Sequence, residues 1–206
     1  KNFMIIIGIT GSIGMGKTTV SNMLRFLKIP VFDSDQQVGK ILDKDYDVID
    51  KISKIWPSTI LLYKKQKKIN KILLGNLIFK SEKERKKLEK LIHPLVKRER
   101  ENFLENSKSF SLVALDIPLL YETGMDKNCD YIFLANTSKK IQKKRVLKRP
   151  NMTEGKFELI NNSQWSIEKK VKEKPMVIST SFGKTLTFLV VLFYLFTIKI
   201  RGKCNG

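Results

Sequence analysis

The sequence predicts an α/β fold of three layers, a parallel sheet held between helices. Short β-branched apolar runs alternate along the chain with longer stretches of helical spacing, the order that produces parallel strands joined by crossover helices. A glycine-rich loop joins the first of these runs to the first helical stretch. Aspartates stand at the ends of two later runs, where open parallel sheets place their ligands.

The first strand is expected over Met4–Ile9, continuously apolar like a strand buried on both faces. Gly11-Ser12-Ile13-Gly14-Met15-Gly16-Lys17-Thr18 follows, a complete G-x-x-x-x-G-K-[ST] phosphate-binding loop. Val20, Met23, Leu24 and Leu27 then recur at helical spacing. A second strand over Ile29–Phe32 ends at Asp33-Ser34-Asp35. From about residue 36 to 106 the chain reads as mostly helical and lysine-rich. Within it Ser81-Glu82-Lys83-Glu84 is a capping box, and Leu88, Leu91 and Ile92 form an apolar stripe. Pro94 is expected to interrupt that helix, leaving His93 at the break and opening a new helix over Leu95–Leu104. The third strand is Ser111–Leu115 with Asp116 at its end, and the fourth is Tyr131–Ala135. A basic helix follows from about Lys139 to Lys148, stopped by Pro150. Thr153 caps a helix carrying Phe157, Ile160, Gln164 and Ile167, and the fifth strand is Met176–Ile178.

Composition bounds the function. A chain of 206 residues suits one compact domain, or one core with small insertions. Its net charge of +20 suits polyanionic partners, although abundant lysine, isoleucine and asparagine are also what an A/T-rich codon bias produces. Lysines spread along the chain, without interleaved aromatics, give no nucleic-acid-binding signature. Cys129 and Cys204 are the only cysteines and form neither a metal spacing nor a disulfide framework, which fits a reduced cytosolic protein. With His93 the sole histidine, a His-rich metal cluster is excluded. The apolar start runs straight into the phosphate loop with no small-residue cleavage site, unlike a signal peptide. Met4 would be a natural start, making the first three residues dispensable.

The chemistry of the loop explains its residue types. Glycines let backbone N–H groups wrap a polyphosphate, and the helix opening at Gly16-Lys17 adds its positive dipole end. Lys17 would reach the β- and γ-phosphates and the Thr18 hydroxyl would ligate Mg²⁺. Arg145 and Arg149 stand four apart, so a helix would present both on one face, where guanidinium forks match phosphate oxygens. Cradle, carboxylates and arginines together are what phosphoryl transfer requires.

These residues resemble the dephospho-CoA kinases, a group of P-loop kinases. The resemblance is carried by Gly8 to Thr19, by Val31-Phe32-Asp33-Ser34-Asp35, by Leu91-Ile92-His93-Pro94-Leu95-Val96 and by Asp116-Ile117-Pro118-Leu119-Leu120-Tyr121-Glu122. Gln142 to Arg149 resembles the family's lid helix, and Gln164 matches a later lid glutamine. Together these segments cover about residues 4 to 172. The resemblance implies transfer of the ATP γ-phosphoryl to the ribose 3′-hydroxyl of dephospho-CoA, the last step of coenzyme A synthesis. It implies a three-layer P-loop NTPase fold with a helical substrate domain and a lid. The nucleotide-binding core would comprise residues 1–35, 107–138 and 173–206, the substrate domain 36–106 and the lid 139–172.

Residue roles follow by position. Residues 11–19, ending in Thr19, would bind ATP together with Arg149, while Lys17 and Arg145 would act on the transferring group. Of the two arginines, Arg145 matches the family's position better. Asp33 would be the general base, or the acceptor that orients the ribose hydroxyl; a carboxylate is a weak base, so orientation weighs more. Asp35 fits the cap of the following helix better than Asp33 does. His93 and Gln164 would line the substrate site, with the turn before Pro94 the alternative for His93. Asp116 would contact Mg²⁺ through water or simply end its strand, and Glu122 would pair with a cation of the lid or the substrate domain.

The C-terminal segment departs from the family pattern. Lys174-Pro175 stands where an alanine-aspartate pair is usual, and Ser179-Thr180-Ser181-Phe182-Gly183 where an asparagine-x-glycine turn is usual. Leu186–Ile198 replaces a polar helix with an apolar run, shorter than the roughly 20 residues that span a bilayer. A buried or poorly folded tail is favoured over a membrane anchor. Another small-metabolite or nucleotide kinase, or an ATP-binding module without catalysis, are the alternative functions. A cytoplasmic monomer or small homo-oligomer is expected.

Overall fold

The first apolar run folds as β1 (Ile5–Thr10) and leads through the glycine loop into α1 (Lys17–Phe26) and β2 (Val31–Asp33). After β2 come α2 (Ser34–Lys44), α3 (Tyr46–Ile55), β3 (Ile60–Tyr63), β4 (Gln66–Ile69), α4 (Lys71–Lys80) and α5 (Glu82–Asn106). The chain continues with β5 (Leu112–Asp116), β6 (Tyr131–Asn136), α6 (Lys139–Leu147), α7 (Glu154–Asn162), α8 (Ile167–Lys172), β7 (Met176–Ser179) and α9 (Gly183–Cys204). This computed structural model describes residues 4–63 and 66–204, with side chains through residue 200. The first three residues and the Cys204 thiol, both noted above, lie outside that description. Two units result: residues 1–32 with 107–206, and residues 33–106.

In the first unit the sheet order is β2-β5-β1-β6-β7. β1 pairs in parallel with β5 on one side and β6 on the other, and β6 pairs in parallel with β7. Residue alternation sends Ile7, Ile9, Ala114, Phe133, Ala135 and Ile178 to one face, where Val20, Met23 and Leu24 of α1 and Val191 and Ile198 of α9 complete the core. On the opposite face Leu120 and Cys129 approach Gly8, and α8 lies against β6. Because the strands are parallel, the glycine loop after β1, Asp116 of β5 and Thr180 after β7 all leave the same edge of the sheet.

The second unit is helical, with one addition that its lysine-rich sequence concealed. Ile60–Tyr63 and Gln66–Ile69 form an antiparallel hairpin, Ile60 opposite Ile69. Its core gathers Ile41, Ile49, Ile52, Trp56, Leu74, Leu88 and Ile92, and the Trp56 indole donates to Glu84 at 2.6 Å. Ser81 accepts the Glu84 N–H as the capping box predicts. Pro94, however, does not break α5, which runs through it for 25 residues. Loss of one helical hydrogen bond at a proline costs about 3 kcal/mol. Burial of Leu88 and Ile92 before it, with Leu95 and Val96 packed after it on the same core, offsets that cost.

Two expectations for the end of the chain also change. The helix after Thr153 stops at Asn162, so Gln164 lies in the turn before α8, whose cap is Ser166. The apolar tail is a helix seated on the sheet. α9 has the length and apolarity to cross a membrane, yet Val191 and Ile198 are fully buried in the core. Leu189, Phe193 and Phe196 face outward.

Truncation on α9 will therefore depend on the face. Ile198→Ala should lower unfolding free energy by about 2–5 kcal/mol, and Leu189→Ala by no more than about 0.5 kcal/mol. Urea titrations of both variants measure this, and equal shifts would show that α9 is not packed as described.

Candidate functional site

The glycine loop is held on three sides by its own unit. Met15 N–H closes a turn on the Ser12 carbonyl at 3.1 Å. Gly14 and Gly16 have φ of 78° and 94°, a region that side-chain-bearing residues rarely occupy. Neither has room for a side chain. A Cβ on Gly14 would lie 2.5 Å from Val146 Cγ2 of α6, and one on Gly16 would lie 2.6 Å from Thr180 Oγ1. Two amides fix the peptide groups of Ile13. Gln164 Oε1 accepts the Ile13 N–H at 3.0 Å. Gln142 Nε2 donates to the Ile13 carbonyl at 2.9 Å and to Asn161 Oδ1 at 3.2 Å. Beyond the loop, α1 begins with neither a side-chain cap nor an acidic residue in its first turn. Its positive end is thus left to an anion.

Lys17 is paired with Asp116 Oδ1, and Ser21 Oγ donates to Asp116 Oδ2. Asp116 is 1% exposed, and burying a carboxylate is costly unless it is paired and hydrogen-bonded. The lysine and the serine one helical turn later meet that requirement. Asp116 is the last residue of β5, as one of its two expected readings has it, and it is also the partner that seats Lys17. Thr18 is exposed, and Thr19 is half-buried.

Arg145 projects from α6 onto the end of β7, where it donates to Thr180 Oγ1 at 2.8 Å and to the Thr180 carbonyl at 2.7 Å. Arg149 does not share its helical face. α6 ends at Leu147 with Lys148 as its C-cap, and Arg149 N–H bonds Val146 O in the turn that follows. Pro150 accounts for this, since a residue before proline is driven out of the helical region.

Glu122, after β5, finds its cation in the segment 139–172. Its Oε1 accepts the Trp165 N–H at 2.7 Å and lies 3.1 Å from Lys170 Nζ, which is fully buried. Trp165 stacks on Tyr121 with ring centroids 6.0 Å apart, and Lys169 Nζ sits over the Trp165 ring at 3.4 Å from its centroid. Burial pushes the Tyr121 phenol up to about 12, with Asp126, Glu173 and Cys129 adding to the shift.

The other expected residues lie in the second unit. Asp33 closes β2 and, contrary to expectation, is itself the cap of α2: its Oδ1 accepts the Gln36 N–H at 2.9 Å, while Asp35 stands in the first turn. His93 is exposed on α5, within the continuous helix rather than at a break.

Sequence reasoning missed Gln142, Ser21, Lys170 and Thr180. Ser21 carried a signal, since it follows Lys17 by one helical turn. Gln142 likewise precedes Arg145 by three residues on one helix. Lys170 is one of many lysines, and only its burial sets it apart.

Comparison with known proteins shows the family. The family model for dephospho-CoA kinase matches residues 5–184. A dephospho-CoA kinase of Zymomonas mobilis is 38% identical over 175 residues, covering 85% of this chain and 87% of the relative. One of Bartonella henselae is 37% identical, covering 89% and 91%. The crystal structure of TT1252 from Thermus thermophilus superposes with a TM-score of 0.79 at 25% identity, over 95% of this chain and 97% of that one. Dephospho-CoA kinase from Campylobacter jejuni shares the fold with a TM-score of 0.67 at 24% identity, covering 98% of each chain.

The raised Tyr121 value has a consequence at alkaline pH. The folded phenol stays protonated toward pH 12, whereas the unfolded one ionises near 10.0. Its contribution to stability is complete below pH 10.0 and is lost as pH rises through about 12. Tyr121→Phe should flatten the wild-type loss of stability across that window in urea titrations. Parallel decline of the two proteins would contradict the assignment.

Proposed function

The chain belongs to the dephospho-CoA kinase family and phosphorylates dephospho-CoA with ATP in coenzyme A biosynthesis, and we propose that Lys17, Asp33 and Arg145 carry the transfer to the ribose 3′-hydroxyl. The observation that carries this reading is the glycine loop, closed by α6 and β7 and followed by a lysine already held in place by Asp116.

In this reading the backbone of residues 11–19 wraps the ATP phosphates, with the uncapped start of α1 adding favourable charge. Lys17 leaves Asp116 for the β- and γ-phosphates, exchanging one anionic partner for another. Dephospho-CoA kinases use ATP with Mg²⁺. Thr18 is exposed, and its hydroxyl is a hard oxygen donor suited to that ion, which when bound would neutralise phosphate charge. Asp116, which keeps its bond from Ser21 when Lys17 leaves, would contact the ion through water. Arg145 places its guanidinium against the transferring group, and Arg149 contributes to nucleotide binding from the turn beyond α6. Asp33 accepts the ribose hydroxyl. Its bond from Gln36 N–H restrains the carboxylate and so favours orientation of the nucleophile.

Residues 1–35, 107–138 and 173–206 would act as the nucleotide core, 36–106 as the substrate domain carrying His93, and 139–172 as the lid. Gln164 binds the phosphate loop here, and its role in substrate binding would follow exchange of that bond. A cytoplasmic monomer or small homo-oligomer fits this reading. The inward packing of Val191 and Ile198 supports a structural role for α9 over a membrane anchor.

The test is CoA and ADP formation from ATP, Mg²⁺ and dephospho-CoA, with wild type, Lys17→Ala and Asp33→Asn side by side. Both variants should lose most turnover, and Asp33→Asn should keep its ATP affinity. No turnover by folded, ATP-binding wild type would reject the reading, and faster transfer to a nucleoside or nucleoside monophosphate would redirect it to another acceptor.

A further inference from the structure

The segment after β7, where the chain departs from the family pattern, contains a residue with an unusual set of partners. Thr180 is 4% exposed. Its hydroxyl donates to the Met15 carbonyl at 2.8 Å and accepts from Arg145 at 2.8 Å. Its own carbonyl accepts a second Arg145 bond at 2.7 Å, and its N–H donates to Asn136 O at 2.8 Å. Its side chain also occupies the space that a Cβ on Gly16 would need. One threonine thus joins the sheet, the phosphate loop and α6.

The hydrogen bonds run in one direction. A guanidinium has donors only and a carbonyl only accepts, so a group between them must do both, as a hydroxyl does. Arg145 commits two donors to Thr180 and is held by a fork rather than by a single bond. A long side chain fixed in this way loses less rotational freedom when it later meets a phosphate.

We propose that Thr180 is a positioning residue, which sets Arg145 beside the Met15–Gly16 peptide of the phosphate loop and so raises the rate of phosphoryl transfer through Arg145. This rests on the reading of Arg145 given above.

The experiment is steady-state kinetics on the full chain with Thr180→Val, Thr180→Ser, Arg145→Ala and the Thr180→Val/Arg145→Ala double variant, with thermal unfolding as a control. Valine keeps the shape against Gly16 and removes the hydroxyl. Thr180→Val should lower kcat about tenfold, with a smaller rise in KM for ATP. Serine should restore most of the rate. In the Arg145→Ala background, Thr180→Val should lower kcat no further, because the residue through which it acts is gone. If Arg145→Ala retains wild-type kcat, the reading of Arg145 fails. A large loss in Arg145→Ala alongside wild-type rates in Thr180→Val overturns the role of Thr180, as do fully additive losses in the double variant. Should Thr180→Val not fold, Thr180→Ala takes its place: it too lacks the hydroxyl and should show the same fall in kcat, absent in the Arg145→Ala background, whereas wild-type rates would overturn the proposal.

Discussion

The site depends on how closely other parts of the first unit approach the backbone between Ser12 and Lys17. At Gly14 the neighbour is Val146 of α6, and at Gly16 it is Thr180 beyond β7, both nearer than any side chain at those positions would permit. The two glycines are therefore required twice, for their positive φ and for the space they leave. Amide bonds from Gln142 and Gln164 hold Ile13 between them. A loop restrained in this way has less to organise around a ligand, and preorganisation of this kind is a main electrostatic resource of phosphoryl transfer.

Charge is arranged around this loop with the same economy. A buried Asp116 would be costly alone, and Lys17 and Ser21 satisfy it. The pair fixes the lysine beside the loop. The net charge of +20 adds a general attraction for anions, but position comes from these few contacts. Glu122 and Lys170 form a second buried pair farther along, held by charge without a hydrogen bond to the ammonium. A fully buried ammonium stays in place because a carboxylate lies 3.1 Å away, and the pair ties α8 to the segment after β5.

α9 is apolar along most of its length, and part of it packs on the sheet. Its sequence is apolar nearly all round, so periodicity says little about which face turns inward. The sheet makes the choice. Val191 and Ile198 enter the core with α1, and Leu189, Phe193 and Phe196 are left outside.

The glycine loop, its lysine and threonine, the parallel strands and the capping box at Ser81 were legible in the sequence because each is a local pattern with a local cause. Backbone conformation, hydrogen-bond closure and alternation of burial act over a few residues, and sequence spacing records them. The hairpin over Ile60–Ile69, the passage of α5 through Pro94 and the seating of α9 were settled only by tertiary structure, because packing against distant residues outweighed local propensity. The same holds for the partners of Lys17, Arg145 and Glu122. Asp116, Thr180 and Lys170 stand 99, 35 and 48 positions away along the chain. Which of many carboxylates, hydroxyls and lysines meets each group depends on which strand ends share an edge of the sheet, and no spacing in the sequence encodes that.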